Sequence, residues 1–204
     1  ASLTINNNAL NNGFSESLDA TFTGAVSGDT ASTSGSIDNL GPQASDATSM
    51  TIALVTSVAG VRTGTADINF ISDPNGINSL GSTDLGDQTA QATVTAYRYA
   101  EATANASGPA YVRVGDAANV TIEITNSQVA DAYSEDLDAS FASTSGSING
   151  SSGAVNDLAA GASSNNMGVS LDTSTLGLSS GVASIDFISD GANSSGLGTT
   201  SLRS

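Results

Sequence analysis

Six acidic side chains recur at matched positions in the two halves of this 204-residue sequence, and their oxygen atoms are suited to binding calcium. The acidic pairs are Glu16 with Glu135, Asp19 with Asp138, and Asp73 with Asp190; Asn75 adds an amide oxygen next to Asp73. Carboxylate and carbonyl oxygens are the ligands that Ca²⁺ takes in proteins. We therefore expect that the chain requires no cofactor and that Ca²⁺ is a candidate ligand at these seven residues.

The same residues also have a structural interpretation. Asp73 and Asp190 each follow an F-I-S segment, where an aspartate commonly accepts hydrogen bonds from the backbone of the next turn. Glu16 and Glu135 could lie on solvated strand ends. The sequence after Asp73 reads DPNG, similar to part of a D-x-N-G calcium loop, whereas the sequence after Asp190 reads DGAN, and no full twelve-residue loop is present. Both interpretations remain open.

The composition excludes most catalytic chemistry. The chain contains no histidine, cysteine or lysine, so neither a serine-histidine or cysteine-histidine pair nor a Schiff-base lysine can form. Histidine and thiolate sites for zinc or copper are excluded for the same reason. Paired carboxylates could act as in glycosidases, but only five phenylalanines and four tyrosines are available to line a substrate site. We therefore predict that the protein is not an enzyme.

The charge limits the partners. With 20 acidic residues and four arginines the formal net charge is −16, which disfavours binding to nucleic-acid phosphate and to anionic membrane surfaces. No apolar run is long enough to span a bilayer, so membrane insertion is not expected. A surface dominated by small polar residues and net negative charge stays soluble and is typical of a secreted protein.

The sequence is internally duplicated. The block F-S-E-S-L-D-A-T-F matches Y-S-E-D-L-D-A-S-F, and residues 64–73 match residues 181–190. The heptapeptide ASTSGSI occurs at 31–37 and again at 142–148, which predicts an eight-residue insertion, TGAVSGDT, forming a longer loop in the first copy. Because the repeated unit is much longer than a solenoid turn, the sequence predicts two domains in tandem.

Apolar residues alternate with polar ones over short stretches in both copies, which is typical of half-buried strands. The alternating positions are Leu3 and Ile5; Leu18, Ala20 and Phe22; Met50, Ile52 and Leu54; Ala66, Ile68 and Phe70; and, in the second copy, Val120, Ile122 and Ile124; Leu137, Ala139 and Phe141; Met167, Val169 and Leu171; Ala183, Ile185 and Phe187. The pattern predicts an all-β protein of two tandem antiparallel β-sandwich domains, immunoglobulin-like and elongated, with a closed barrel as the alternative.

The predicted domains are residues 1–100 and 111–204, joined by a short linker at 101–110. Their ends are uneven. The first copy has no counterpart of residues 111–119, which we predict to hold an opening strand, and the second has no counterpart of the closing strand at 88–100. Either the chain is part of a longer array or neighbouring chains donate the missing strands.

The segment VRVGDAANVTIEITNS at 112–127 resembles the opening strands of immunoglobulin-like domains of the Hydin/ASH type, which occur in bacterial surface and envelope proteins; LTINNN at 3–8 resembles part of it. The resemblance implies a tandem β-sandwich used as a stalk, spacer, matrix component or appendage subunit. It implies no catalytic or binding residues.

These observations favour a non-enzymatic extracellular structural protein of a microbial surface, acting as a stalk, matrix component or filament subunit and assembled head to tail by strand donation. Self-association or contact with neighbouring repeats is the expected partnership, outside the cell or at its surface. The alternative is a calcium-dependent adhesin or carbohydrate-binding module. The sequence does not identify a ligand.

Overall fold

The computed structural model describes residues 1–202, and the chain is all-β. Every regular element in that range is a strand, and the strands pair antiparallel into several sheets. The chain divides into two compact units, unit 1 from Ala1 to Ala96 and unit 2 beginning at Tyr97. No helix within residues 1–202 is long and apolar enough to cross a membrane.

Unit 1 contains a four-stranded sheet in the order β4-β2-β7-β8 and two short ladders, β1-β5 and β3-β6. Thr51 pairs with both Ser2 and Ser34, so the N-terminal segment and β3 flank the same stretch of chain. The strands of unit 1 are β1 (Ile5–Asn6), β2 (Ser17–Gly28), β3 (Thr30–Ser34), β4 (Ser36–Leu40), β5 (Ser45–Asp46), β6 (Thr51–Leu54), β7 (Gly60–Asp73) and β8 (Thr83–Ala96).

Unit 2 contains two four-stranded sheets, in the orders β12-β14-β10-β9 and β13-β11-β15-β16. Its strands are β9 (Ala102–Ser107), β10 (Ala118–Asn126), β11 (Asp136–Gly146), β12 (Ile148–Ser152), β13 (Val155–Leu158), β14 (Ser163–Leu171), β15 (Gly181–Asp190) and β16 (Thr199–Leu202). The last four residues of β15 pair with β16, between Phe187↔Leu202 and Asp190↔Thr199.

The core of each unit is made by the alternating apolar residues. In unit 2, Ile124 and Met167 from one sheet pack in the same cluster as Leu137 and Ile185 from the other. Every alternating position named in the sequence analysis is buried or half-buried, so the predicted phase of the strands is confirmed. Removing these side chains from water supplies the main driving force for a sandwich-like, helix-free fold.

The two copies of ASTSGSI do not occupy equivalent places. Gly35, within the first copy, lies between β3 and β4 with φ = 95°, and Gly153 lies between β12 and β13 with φ = 87°. A β-carbon at either glycine would overlap a backbone carbonyl, that of Ser49 or of Asn166, so both must be glycine for the same reason.

Residues 31–37 therefore correspond to 149–155, and the second heptapeptide, at 142–148, covers the end of β11 and the turn after it. The predicted eight-residue insertion is wrong. Its residues 23–30 instead prolong β2 as far as Gly28, form a short turn and begin β3. The glycine geometry, rather than the seven-residue identity, identifies the structural correspondence.

The segment predicted as a linker, residues 101–110, contains an ordered strand. Strand β9 pairs with β10 from Thr121↔Ser107 to Asn126↔Ala102 and forms the edge of a unit 2 sheet. Residues 111–117, predicted to include an opening strand, lie in loop and turn. Alanine alternates with polar residues along β9, and this apolar pattern is too weak to predict a strand.

Candidate functional site

Three aspartates on adjacent strands of unit 2 form an acidic cluster. Asp138 lies on β11, Asp157 on β13 and Asp190 at the end of β15, and the order β13-β11-β15 makes these strands neighbours. A carboxylate oxygen of each lies within 4.8 Å of one from the others. The structure thus brings together two of the predicted ligands, Asp138 and Asp190, with a third residue that the sequence analysis did not single out.

Local backbone geometry orients this acidic cluster. Asp157 has a left-handed backbone with φ = 52°, and its amide donates a hydrogen bond to Asp138 Oδ1 at 2.8 Å. Asp190 Oδ1 accepts from the amide of Ala192 at 2.8 Å, so this side chain caps the following turn. The side-chain amide of Asn193 donates to Asp157 Oδ1 at 2.8 Å. Each carboxylate is therefore held in place through one oxygen.

The negative charge of the cluster affects the pKa of a fourth carboxylate, that of Asp136. Burial raises the pKa of Asp136, and the charges of Asp157, Asp190 and Asp138 raise it further. A divalent cation with oxygen ligands would neutralise part of this negative charge. Three carboxylates so close together form a set of oxygen ligands that a hard cation could take.

Unit 1 has the same geometry with less charge. Asn39, with φ = 60°, occupies the place of Asp157, and its amide donates to Asp19 Oδ1 at 2.7 Å. Asp73 Oδ1 accepts from the amide of Asn75 at 2.8 Å, and Asn75 itself has φ = 43°. Within residues 1–202 the acidic cluster of unit 2 is the only group of three such side chains.

The two predicted glutamates lie elsewhere and anchor loops. Glu135 is 3% exposed, and its carboxylate accepts hydrogen bonds from Ser189 Oγ at 2.7 Å and Ser195 Oγ at 2.6 Å. Its expected place on a solvated strand end is therefore wrong, because the loop after β15 folds over it. The two hydroxyl donors replace the hydrogen bonds to water that the carboxylate loses on burial.

Glu16 makes the corresponding contacts in unit 1. It accepts from Ser72 Oγ at 2.5 Å and from Asn78 Nδ2 at 2.6 Å, and it is half-buried rather than buried. The hydrogen bonds from Ser72 and then Asn78 lower the pKa of Glu16. Both glutamates thus use their oxygens in hydrogen bonds within the fold, and neither belongs to the acidic cluster.

Asp157 could have been found in the sequence. Residues 39–45, NLGPQAS, match residues 157–163, DLAAGAS, and this match places Asp157 opposite Asn39. The missing signal was proximity, since Asp157 is 19 residues from Asp138 in the chain and comes next to it only through the pairing of β11 with β13.

No protein-family model, curated protein or solved structure matches this chain.

Proposed function

We propose that the protein is a non-enzymatic structural component of a microbial surface, built from tandem immunoglobulin-like β-sandwich repeats and acting outside the cell as a stalk, matrix component or filament subunit. The observation that carries this proposal is the course of the chain from β8 to β9. Strand β8 closes the four-stranded sheet of unit 1, and β9, the next strand along, is an edge strand of unit 2.

One continuous stretch of chain therefore supplies a strand to each of two successive repeats. Strand β8 pairs with β7 from Gly60↔Ala96 to Ser72↔Thr83, and β9 then pairs with β10. Main-chain pairing of this kind gives affinity with little demand on side chains, which suits a chain rich in alanine, serine and threonine. The same pairing between chains would be head-to-tail strand donation.

The outer edge of β15 in unit 2 supports self-association. In unit 1 the matching strand β7 is paired along its length by β8, whereas β16, as far as Leu202, reaches only Phe187. Beside the part of β15 that precedes Phe187 lies a cleft of about 400 Å³ lined by side chains that include Ala183 and Ile185. A strand that continues the pairing beyond Phe187 would cover this cleft, and a strand of another copy is the occupant proposed here.

Electron microscopy with a concentration series tests this proposal. We expect the purified chain to form fibres with a regular axial repeat at high concentration. Ala183→Lys places a charge in the cleft and should suppress them, while Ser184→Lys adds the same charge at the exposed neighbouring residue and should not. A chain that stays monomeric and cooperatively folded at all concentrations would contradict assembly by strand donation.

A second candidate, a calcium-dependent adhesin or carbohydrate-binding module, is favoured by the acidic cluster of Asp138, Asp157 and Asp190. Calorimetric titration of the chain with Ca²⁺ should detect a site. Asp157→Asn should remove it, because the substitution places in unit 2 the same asparagine that unit 1 has at Asn39. Glycan-array binding that a chelator abolishes would support this function. Absence of any heat or thermal shift with Ca²⁺ would exclude the calcium-dependent version.

A further inference from the structure

In unit 2, residues 97–107, called here the covering segment, bury the strand end that carries Glu135. The amide of Arg98 donates to Tyr133 O at 2.8 Å, and the amide of Glu135 donates back to Arg98 O at 3.0 Å. The ring of Tyr97 lies 6.1 Å from that of Tyr133, in a tilted arrangement. The segment thus begins with aromatic packing and a short parallel pairing.

The covering segment continues as β9 along the outer edge of β10. The amide of Asn126 bonds inward, to Ala162 O at 3.0 Å, so alternation directs the backbone groups of Thr121, Glu123 and Thr125 outward to β9. Ala102 packs against the core of unit 2. The outer edge of β10 is therefore paired by β9 from Thr121 to Asn126.

Within residues 1–202, no such segment lies over the corresponding strand end of unit 1. Phe14 occupies the place of Tyr133 and is 86% exposed, whereas Tyr133 is half-buried. Glu16 is half-buried where Glu135 is buried. At 86% exposure the Phe14 ring contributes little packing to unit 1, and it lies at the position where the covering segment packs in unit 2.

The edge beside Phe14 is bare as well. The amides of Leu3 and Asn7 bond inward, to Met50 O at 2.9 Å and Ala44 O at 3.0 Å. Alternation then directs the backbone groups of Thr4 outward, and among residues 1–202 no strand pairs with that edge. Thr4 corresponds to Glu123 of unit 2, which β9 covers.

We propose that unit 1 is an acceptor for an extended segment with the sequence pattern of residues 97–107, supplied by another repeat unit. The segment would stack its leading aromatic residue on Phe14, pair its backbone beside Glu16 and run antiparallel along the edge of Thr4. This proposal rests on the proposed function, since it identifies which surface of one repeat receives the strand of another.

The occupant must have small residues at alternate positions. Ala100 is 6% exposed in unit 2 and Ala102 packs on the core, so a larger side chain at either place would not fit the equivalent groove. A basic residue is not required, because Asn12 replaces Asp131, the carboxylate that contacts Arg98 at 2.8 Å in unit 2. The acceptor therefore selects an aromatic residue followed by alternating alanines.

Edge-to-edge pairing of two copies of unit 1 is a weaker explanation. It would satisfy the backbone groups at Thr4, but it would leave Phe14 in water and the backbone beside Glu16 unpaired. In unit 2 one segment satisfies both places, by a parallel bridge at Arg98↔Ser134 and antiparallel pairing further on. The geometry favours a segment that bends from one place to the other.

The test uses the complete chain and a synthetic peptide of residues 97–107 with blocked ends. Hydrogen exchange should show new protection at the amides of Thr4, Asn6 and Glu16, and a scrambled peptide should give none. Thr4→Pro removes one outward donor at an edge position that tolerates proline, and should weaken binding roughly tenfold or more. Phe14→Ser should weaken it by a similar factor, while Arg98→Gln in the peptide should have little effect.

The proposal would be overturned if the peptide did not bind, if it protected only unit 2, or if neither Thr4→Pro nor Phe14→Ser weakened its binding. Equal protection of these amides by the scrambled and the native peptide would do the same. The result is separable from the proposed function: fibres that form although the peptide does not bind would retain the filament and assign its contact to another surface. Peptide binding without any fibre would retain the acceptor and reject the filament.

Discussion

Ser189 joins three parts of unit 2 and should be the most sensitive polar residue in the protein. It is fully buried, its hydroxyl donates to Glu135 Oε2 at 2.7 Å, and it accepts from the amide of Ala100 at 2.8 Å. Ser189→Ala removes one of two donors to a buried carboxylate and leaves a buried backbone amide unpaired. The two losses together should destabilise unit 2 by about 3 kcal/mol.

Unit 1 provides the matched control. Ser72 corresponds to Ser189 and donates to Glu16, but no backbone amide among residues 1–202 donates to it, and it is half-buried. Ser72→Ala should therefore have a much smaller effect, because water can replace the lost hydroxyl.

Native-state hydrogen exchange measures both changes in one molecule. Ile124 and Ile52, both fully buried, report the opening of unit 2 and of unit 1. In Ser189→Ala the protection at Ile124 should fall roughly a hundredfold, with little change at Ile52. Equal effects of Ser189→Ala and Ser72→Ala, each within its own unit, would refute the reasoning, because only Ser189 completes a buried chain of hydrogen bonds.

Three further changes have definite expected outcomes. Asp136→Asn should stabilise unit 2 at pH 7 by less than about 1 kcal/mol after solvent screening, because the pKa of Asp136 is raised and its ionised form therefore destabilises the fold. The gain should disappear in thermal scans below pH 3.8, the ordinary pKa of an aspartate, where the carboxyl is neutral in both the folded and the unfolded chain. Gly153→Ala should prevent stable folding of unit 2 in circular dichroism, because its β-carbon would overlap a backbone carbonyl; Gly177→Ala, where the backbone also has positive φ but nothing lies within 4 Å, should be milder. Asp131→Asn should reduce the stability of unit 2 most at neutral pH, because the hydrogen bond from Arg98 lowers the pKa of Asp131 and so stabilises the fold while that carboxylate is ionised. This stabilisation is lost as the pH falls through the lowered pKa, and thermal melts across a pH series should show the difference between the two proteins shrinking.

The strands and their buried faces could be predicted because alternation reports burial directly. Ala20 and Ile68, predicted to face inward, are almost fully buried, as are their counterparts Ala139 and Ile185. Strand β9 was missed because its inward residues are alanines, whose burial stabilises so little that their alternation resembles a small polar linker.

Long-range polar contacts could not be predicted from the same sequence. Glu135 looks like a surface residue in a polar block, and only the fold of the loop after β15 places Ser189 and Ser195 against it. Asp157 likewise becomes part of an acidic cluster through strand pairing. Repetition identified which residues matter in both units, but three-dimensional proximity decided whether each caps a turn, anchors a loop or faces other carboxylates.

The difference between the units is more informative than their similarity. Both keep a buried asparagine, Asn7 and Asn126, that donates to two backbone carbonyls, so the polar framework is the same. Asn126 Oδ1 accepts from the amide of Glu101 at 3.2 Å, in the covering segment, as well as from that of Gln128, whereas among residues 1–202 Asn7 Oδ1 accepts only from the amide of Ala9, the counterpart of Gln128. The second hydrogen bond to the asparagine oxygen is thus made only in unit 2 within this range, as the proposed acceptor role of unit 1 predicts. Binding of the covering segment to unit 1 should therefore make Asn7 resemble Asn126, with new protection of an amide bonded to its side-chain oxygen.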